Sequence, residues 1–214
     1  MTDGIIFDID GTIWDSTEVV EKAWNLAAKK AGILDKHITA AELKALFGRP
    51  MEEIIDILFA DETEEKKAEL GPLCFEYEHA FLKKEPGKIY PGVEDMLKLL
   101  HGYYRLFIVS NCQAGYIETV LHATGFGPFF EDYACPGDTG LLKAENIRLI
   151  MERNGLKSAI YVGDTQMDAE ACKKAGIPII YAAYGFGKAE QPEYTIETPS
   201  ELAFLMQKID NRVL

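Results

Sequence analysis

The chain contains no run of about twenty apolar residues, the length a helix needs to span a bilayer, so the composition points away from an integral membrane protein. It is also short of positive charge. Its 22 Lys and Arg face 35 Asp and Glu, a net charge of −13. That balance argues against nucleic acid or an anionic membrane as a partner, and an anionic ligand would need cations supplied locally. Only four cysteines occur, Cys74, Cys112, Cys135 and Cys172. Their spacing is irregular and no C-x-x-C is present. A disulfide framework is therefore not expected, and the thiols read as reduced, small hydrophobes of a cytoplasmic protein. The four histidines, His37, His79, His101 and His122, lack metal-ligand spacing. There is no repeat and no low-complexity tract. An apolar run begins at Gly4, so no signal peptide is expected.

What is present alternates. Four short apolar runs, Gly4 to Phe7, Leu106 to Val109, Ala159 to Val162 and Ile177 to Tyr181, have the continuous character of strands covered on both faces. A weaker run lies near Asp132 to Cys135. Helical patterns separate the later ones: Tyr116, Val120 and Leu121 share a face, as do Ile147, Ile150 and Met151. A helix over 165–175 should end at Gly176. Thr198-Pro199-Ser200-Glu201 predicts a capping box at the start of the last helix. Strand–helix alternation of this kind predicts an α/β fold, a doubly wound parallel sheet with a Rossmann-like core.

Residues 15 to about 85 break the rhythm and read as helices alone. Asp15-Ser16-Thr17-Glu18 resembles a capping-box start, followed by Val19, Ala23, Ala27 and Ala31 at four-residue spacing. Thr39 opens a second helix that Gly48 stops, and Pro50 opens a third. A fourth carries Leu70, Leu73, Cys74, Tyr77 and Phe81, with a kink or split expected at Gly71-Pro72. The chain is thus expected to fold as an α/β core of 1–14 and 88–214, with a small helical-bundle cap of 15–87 inserted after the first strand. Such a cap, hinged near Thr12 to Ser16 and Lys84 to Lys88, can open for substrate and close to exclude water.

Four polar segments stand out against this frame: Asp8-Ile9-Asp10-Gly11-Thr12, Ser110-Asn111, Lys143, and Gly163-Asp164-Thr165-Gln166-Met167-Asp168. Three of them fall at the carboxyl ends of predicted strands, where open α/β sheets bind ligands. Asp8 and Asp10, two residues apart in extended chain, share a face. At about 4 Å such charges repel by roughly 1 kcal/mol in water and about 4 kcal/mol at an effective dielectric near 20. A cation or a proton is needed to settle the pair.

These segments, in this order and around a helical insertion, resemble the haloacid dehalogenase superfamily. The likeness is to its phosphatases with a helical cap, and most of all to the phosphoglycolate phosphatase group. The resemblance covers essentially the whole chain. It implies a Mg²⁺-dependent phosphatase acting on a small phosphorylated metabolite of phosphoglycolate or sugar-phosphate type. Asp8 would be the nucleophile that forms an aspartyl-phosphate, and Asp10 the acid and then the base. Mg²⁺ would be held by Asp8, Asp164 and the backbone carbonyl of Asp10, with Asp168 binding through water or orienting Lys143. Ser110 would bond a phosphoryl oxygen and Lys143 would balance its charge. Gly11 would let backbone N–H groups approach the phosphate in an anion-binding nest, Thr12 would be a further substrate-binding residue, and Asn111 would position phosphate or substrate. Arg49, in a cap loop that resembles the family's specificity loop, would clamp a substrate carboxylate or hydroxyls. The family often places Pro after the lysine, whereas Ala144 stands here.

An acid at position 10 argues for phosphate esters over haloacids, because halide needs no proton. A β-phosphoglucomutase-like isomerase shares the first half of the chemistry, but its Ser-Arg cap sequence is missing near Gly48-Arg49-Pro50. A receiver-like module would be shorter and would lack the insertion. A non-catalytic binding relative is the remaining alternative. Trp14 is a candidate gate or packing residue. No chemistry is assigned to Tyr184-Gly185-Phe186-Gly187, and oligomeric state stays open between monomer and dimer.

Overall fold

The protein is described by a computed structural model covering residues 1–211. Its centre is a six-stranded, all-parallel sheet built from β1 (Gly4–Phe7), β4 (Arg105–Val109), β5 (Phe130–Ala134), β6 (Ala159–Gly163), β7 (Ile179–Ala182) and β8 (Tyr194–Ile196), ordered β5-β4-β1-β6-β7-β8. Every residue of β1 and β6 is buried, which is why both strands are apolar throughout rather than alternating. One face packs on α5 (Val93–His101) and α10 (Glu201–Asp210), through Ile5, Phe7, Leu97 and Met206. The other packs on α8 (Lys143–Arg153) and α9 (Gln166–Ala175), through Ile6, Phe107, Ile147 and Cys172, while α6 (Tyr116–Thr124) and the short α7 (Pro136–Thr139) lie on either side of β5 in the chain. The expected doubly wound α/β core is borne out. From β1 the chain steps to β4 and β5 on one side, then returns to β6, β7 and β8 on the other. The order reverses between β1 and β6, so their carboxyl ends flank the crevice where this topology binds ligands.

Helices α1 (Thr17–Lys30), α2 (Ala40–Leu46), α3 (Met51–Leu58) and α4 (Glu64–Leu82) pack around a separate apolar cluster of Trp24, Ile38, Leu43, Ile54 and Leu70. The chain enters and leaves this bundle through β2 (Trp14–Asp15) and β3 (Lys88–Ile89), which pair antiparallel. Gly87 is required at that crossing, since a Cβ there would lie 2.9 Å from the Trp14 ring.

Several local features differ from the sequence expectation. Helix α4 runs unbroken through Gly71-Pro72, because buried Leu70 and Cys74 hold both sides of Pro72 against the bundle and outweigh one missing N–H bond. The last helix begins at Glu201, after Ser200, not at Thr198. Glu201 still reaches back to the Glu197 N–H (3.0 Å) and the Thr198 hydroxyl (3.2 Å), so the signal marked the turn before the helix. At α1 the Asp15 carboxylate accepts from the Thr17 N–H (3.0 Å), while the Ser16 hydroxyl is drawn away toward Asp10. The capping box of α2, Thr39 with Glu42, forms as its residues suggest. Strand β8 and the β2–β3 pair are too short to carry a periodic signal.

Candidate active site

The ends of β1 and β6 bring three buried carboxylates together. One oxygen from each of Asp8, Asp164 and Asp168 lies within 4.8 Å of the others. Lys143, at the start of α8, reaches into the same place. Its Nζ lies 2.6 Å from Asp168 Oδ1 and 3.4 Å from Asp8 Oδ1, and all three side chains are buried. Burial works against the ammonium, but Asp168 and Asp8 more than offset it and hold the Lys143 pKa above the ordinary lysine value. Asp168 is bonded on both oxygens, Oδ1 by Lys143 and Oδ2 by the Thr165 N–H (3.0 Å) and hydroxyl (2.7 Å) at the start of α9. It therefore orients the lysine and caps a helix at once. Asp8 Oδ1 takes no hydrogen bond beyond the longer ion pair with Lys143. Burial, above all, pushes the carboxyls of Asp8 and Asp164 upward, and their acidic neighbours add to it. Three buried oxygen donors, one of them lacking a hydrogen bond, suit a hard divalent cation.

Asp164 is held by a segment that the sequence reading left without a role. Its Oδ2 accepts from the Phe186 N–H (2.7 Å) and the Gly187 N–H (3.3 Å), and its Oδ1 from the Thr12 hydroxyl (3.4 Å). The carboxylate fills space beside two glycines. A Cβ on Gly11, which has a φ of +82°, would collide with it, and so would one on Gly185. Gly11 and Thr12 thus differ from the expected phosphate cradle. Their N–H groups are taken by Trp14 O (2.9 Å) and Ile9 O (3.1 Å), because the flap after β1 folds back on itself. What the glycine supplies is room for Asp164.

Asp10 points away from the triad. Its carboxylate accepts from the Ser16 hydroxyl (2.6 Å), the Trp14 Nε1–H (3.1 Å) and the Tyr116 hydroxyl (2.8 Å). Burial pushes its pKa up to about 7 against those three bonds, and Asp8 contributes further. A carboxyl near neutrality can both give and take a proton. Trp14, fully buried, thus fastens Asp10. Tyr116 and Ser16 were not recognisable as site residues. Tyr116 read as one apolar position on a helix face, and its contact with Asp10 spans 106 residues.

The bundle closes over this rim. A cavity of about 50 Å³ lies between them, and Asp8, Asp10, Ser110, Asn111 and Arg49 are among its lining residues. Ser110, buried at the end of β4, lies within hydrogen-bonding reach of Asp8. Asn111 is turned to the cap, where its Nδ2 donates to Gly48 O (2.8 Å). Gln113 donates to Glu52 (3.1 Å), and Phe47 meets Phe186 edge-on with ring centres 6.1 Å apart. Arg49 lines the cavity while pairing with Glu53 at 3.4 Å.

The model of the haloacid dehalogenase-like hydrolases matches residues 5–182. The chain belongs to that family. It is therefore an enzyme of the hydrolase class, and the superfamily resemblance drawn from its motifs is borne out. Over 218 residues it is 25% identical to a phosphoglycolate phosphatase from Aquifex aeolicus, covering 98% of each chain. Over 210 residues it is 26% identical to the probable phosphatase IndB from Dickeya dadantii, covering 92% of this chain and 90% of the other. A haloacid dehalogenase-like hydrolase from Streptococcus pneumoniae, 24% identical, superposes with a TM-score of 0.82 over 96% of this chain and 99% of the other. That last likeness speaks for the fold alone. No helix among the described residues is long and apolar enough to cross a membrane.

Proposed function

We propose that the chain is a Mg²⁺-dependent phosphatase that hydrolyses small phosphomonoesters through an aspartyl-phosphate on Asp8. The observation that carries the reading is the pairing of two carboxyls in different states. Asp8 is held among two more acids and Lys143, and Asp10, two residues on, is tuned near neutrality. Mg²⁺, when bound by Asp8, Asp164 and, by family resemblance, the Asp10 carbonyl, supplies charge neutralisation for the phosphoryl group.

The remaining work falls to the chain. An Asp8 oxygen attacks phosphorus as the ester P–O bond breaks, and Asp10 protonates the departing oxygen. Asp10 then takes a proton from water, whose oxygen attacks the acyl phosphate and frees Asp8 and inorganic phosphate. Lys143 and Ser110 hold phosphoryl oxygens, and Asp168 keeps Lys143 in place. In this reading, residues 15–87 act as a cap over a core of 1–14 and 88–214, admitting a small metabolite and excluding bulk water. Asn111 fastens the cap, and Arg49 meets the leaving group at the rim. The four unpaired thiols fit a cytoplasmic setting.

The test is phosphate release from a panel of small esters, with and without Mg²⁺, by wild type and Asp8→Asn. Wild-type turnover should require Mg²⁺. The variant should lose at least ~10³-fold in rate with its melting temperature retained. Turnover that survives in Asp8→Asn overturns the mechanism. Accumulation of an isomeric sugar phosphate would mark a mutase, and phosphate-ester binding without release a non-catalytic relative.

A further inference from the structure

The cavity is lined by a third carboxyl group, and none of these steps uses it. Glu78 projects from α4 into the wall shared with Trp24, Phe75 and Ile54, and its residue is 7% exposed. Its Oε2 accepts a 2.7 Å hydrogen bond from the Trp24 Nε1–H. Asp10 lines the same cavity, and its charge is felt at Glu78. A leaving group that departs toward Asp10 therefore meets Glu78 on the cap side.

Burial is the main cause that pushes the Glu78 pKa up to about 8. At neutral pH the group is an uncharged acid that can donate one hydrogen bond and accept others. An alcohol hydroxyl is the complementary partner, since it does both, and the aromatic walls suit the C–H face of a polyol. A carboxylate can accept from Glu78 but offers no proton in return. It would lose its water against Trp24 and Phe75 and lie close to Asp10, and buried charge is costly unless paired. Arg49 is the only cation among the described residues that line this cavity. Its side chain is 43% exposed and already bonded to Glu53.

We infer, resting on the phosphatase reading, that Glu78 is a specificity determinant. It selects phosphomonoesters whose leaving group carries a neutral hydroxyl close to the ester oxygen, and it discriminates against those carrying a carboxylate there.

The test uses two esters of nearly equal size, 2-hydroxyethyl phosphate and 2-phosphoglycolate, with glycerol phosphate as a larger polyol. p-Nitrophenyl phosphate serves as an activity reference. Wild type should favour 2-hydroxyethyl over glycolate phosphate by about tenfold or more in kcat/KM, a ratio within reach of one misfitted polar group. Glu78→Met keeps the length but removes the hydrogen-bonding group, and should narrow that ratio several-fold with p-nitrophenyl phosphate still hydrolysed. The wild-type ratio stands as a test even if the variant does not fold. Equal or better hydrolysis of 2-phosphoglycolate by an enzyme active on p-nitrophenyl phosphate overturns the role of Glu78 and leaves the phosphatase reading intact. An unchanged ratio in folded Glu78→Met does the same. Absence of Mg²⁺-dependent release from every ester, the reference included, overturns both.

Discussion

The two sides of the cavity are built on different terms. The sheet side is a set of strand ends where Asp8, Asp164, Asp168 and Lys143 are buried and tied to one another or to backbone N–H groups at 2.6–3.4 Å. The helical side presents Trp24, Phe47, Phe75 and Arg49, and its polar groups make few bonds. Ion pairs and backbone bonds hold the first side to one geometry. The second is held by apolar packing, which is less directional and tolerates changes of volume-conserving kind. The division assigns reaction chemistry to the sheet and choice of substrate to the helices.

The comparison breaks most sharply at the sheet side. Lys143→Met removes the only cation among the described residues that is bonded to two buried carboxylates. It should cost about 3–5 kcal/mol, since an uncompensated buried charge remains. Chemical denaturation would read this as a lower midpoint, together with loss of turnover. Retained stability would show that Asp8 and Asp168 simply take up protons instead. Gly185→Ala pushes on Asp164 without touching a reacting atom. Its expected result is a 10- to 100-fold weaker Mg²⁺ dependence, the usual cost of disturbing a group that supports a metal ligand. Titration of activity against Mg²⁺ would check it.

The helical side should respond more gently. Arg49→Ala is expected to raise KM by several-fold for some esters and leave kcat nearly constant, as befits a contact shared by ground and transition states. An unchanged substrate profile would remove Arg49 from the rim's function. The smallest effect is one of stability. Glu78 has its pKa raised from 4.5 to about 8 in the folded chain, so between those values the folded state binds more protons than the unfolded one. Folding stability from this group is therefore present at low pH and is lost as pH rises through the window. Glu78→Gln removes that loss, so its melting temperature should gain on the wild type's steadily from pH 5 to pH 8. Parallel melting curves across that range would show that Glu78 titrates normally.

The sheet side was also the legible one. Asp8, Asp10, Asp164 and Lys143 announce themselves because each sits beside an apolar run or a helix start, and local pattern is what a sequence displays. The strands themselves and the doubly wound class followed from the same runs, whereas their order in the sheet is a tertiary fact. The helical side and the supports behind Asp10 were hidden for a physical reason. Ser16 looked like a helix cap, Tyr116 like a buried face and Gly185-Phe186-Gly187 like a plain turn. Each earns its place through a bond to a residue distant in the chain, Tyr116 to Asp10 or Phe186 to Asp164. Gly11 was noticed, but as the residue that lets backbone N–H groups approach a phosphate. Its positive φ and its proximity to Asp164 depend on the path of another loop. Continuity of α4 through Pro72 was obscured likewise, because packing on both sides of a proline is a tertiary matter.

The space around Asp164 links three loops into one steric unit. Its carboxylate occupies the volume in which Gly11 and Gly185 would each carry a methyl group, and a Cβ on Gly185 would also strike the Gly11 carbonyl. Substitutions at these three positions should consequently show strong epistasis. Alanine at 11 or 185 is harmful beside an aspartate, and part of that harm should vanish once position 164 is trimmed to glycine, even though the trimmed protein has lost a donor.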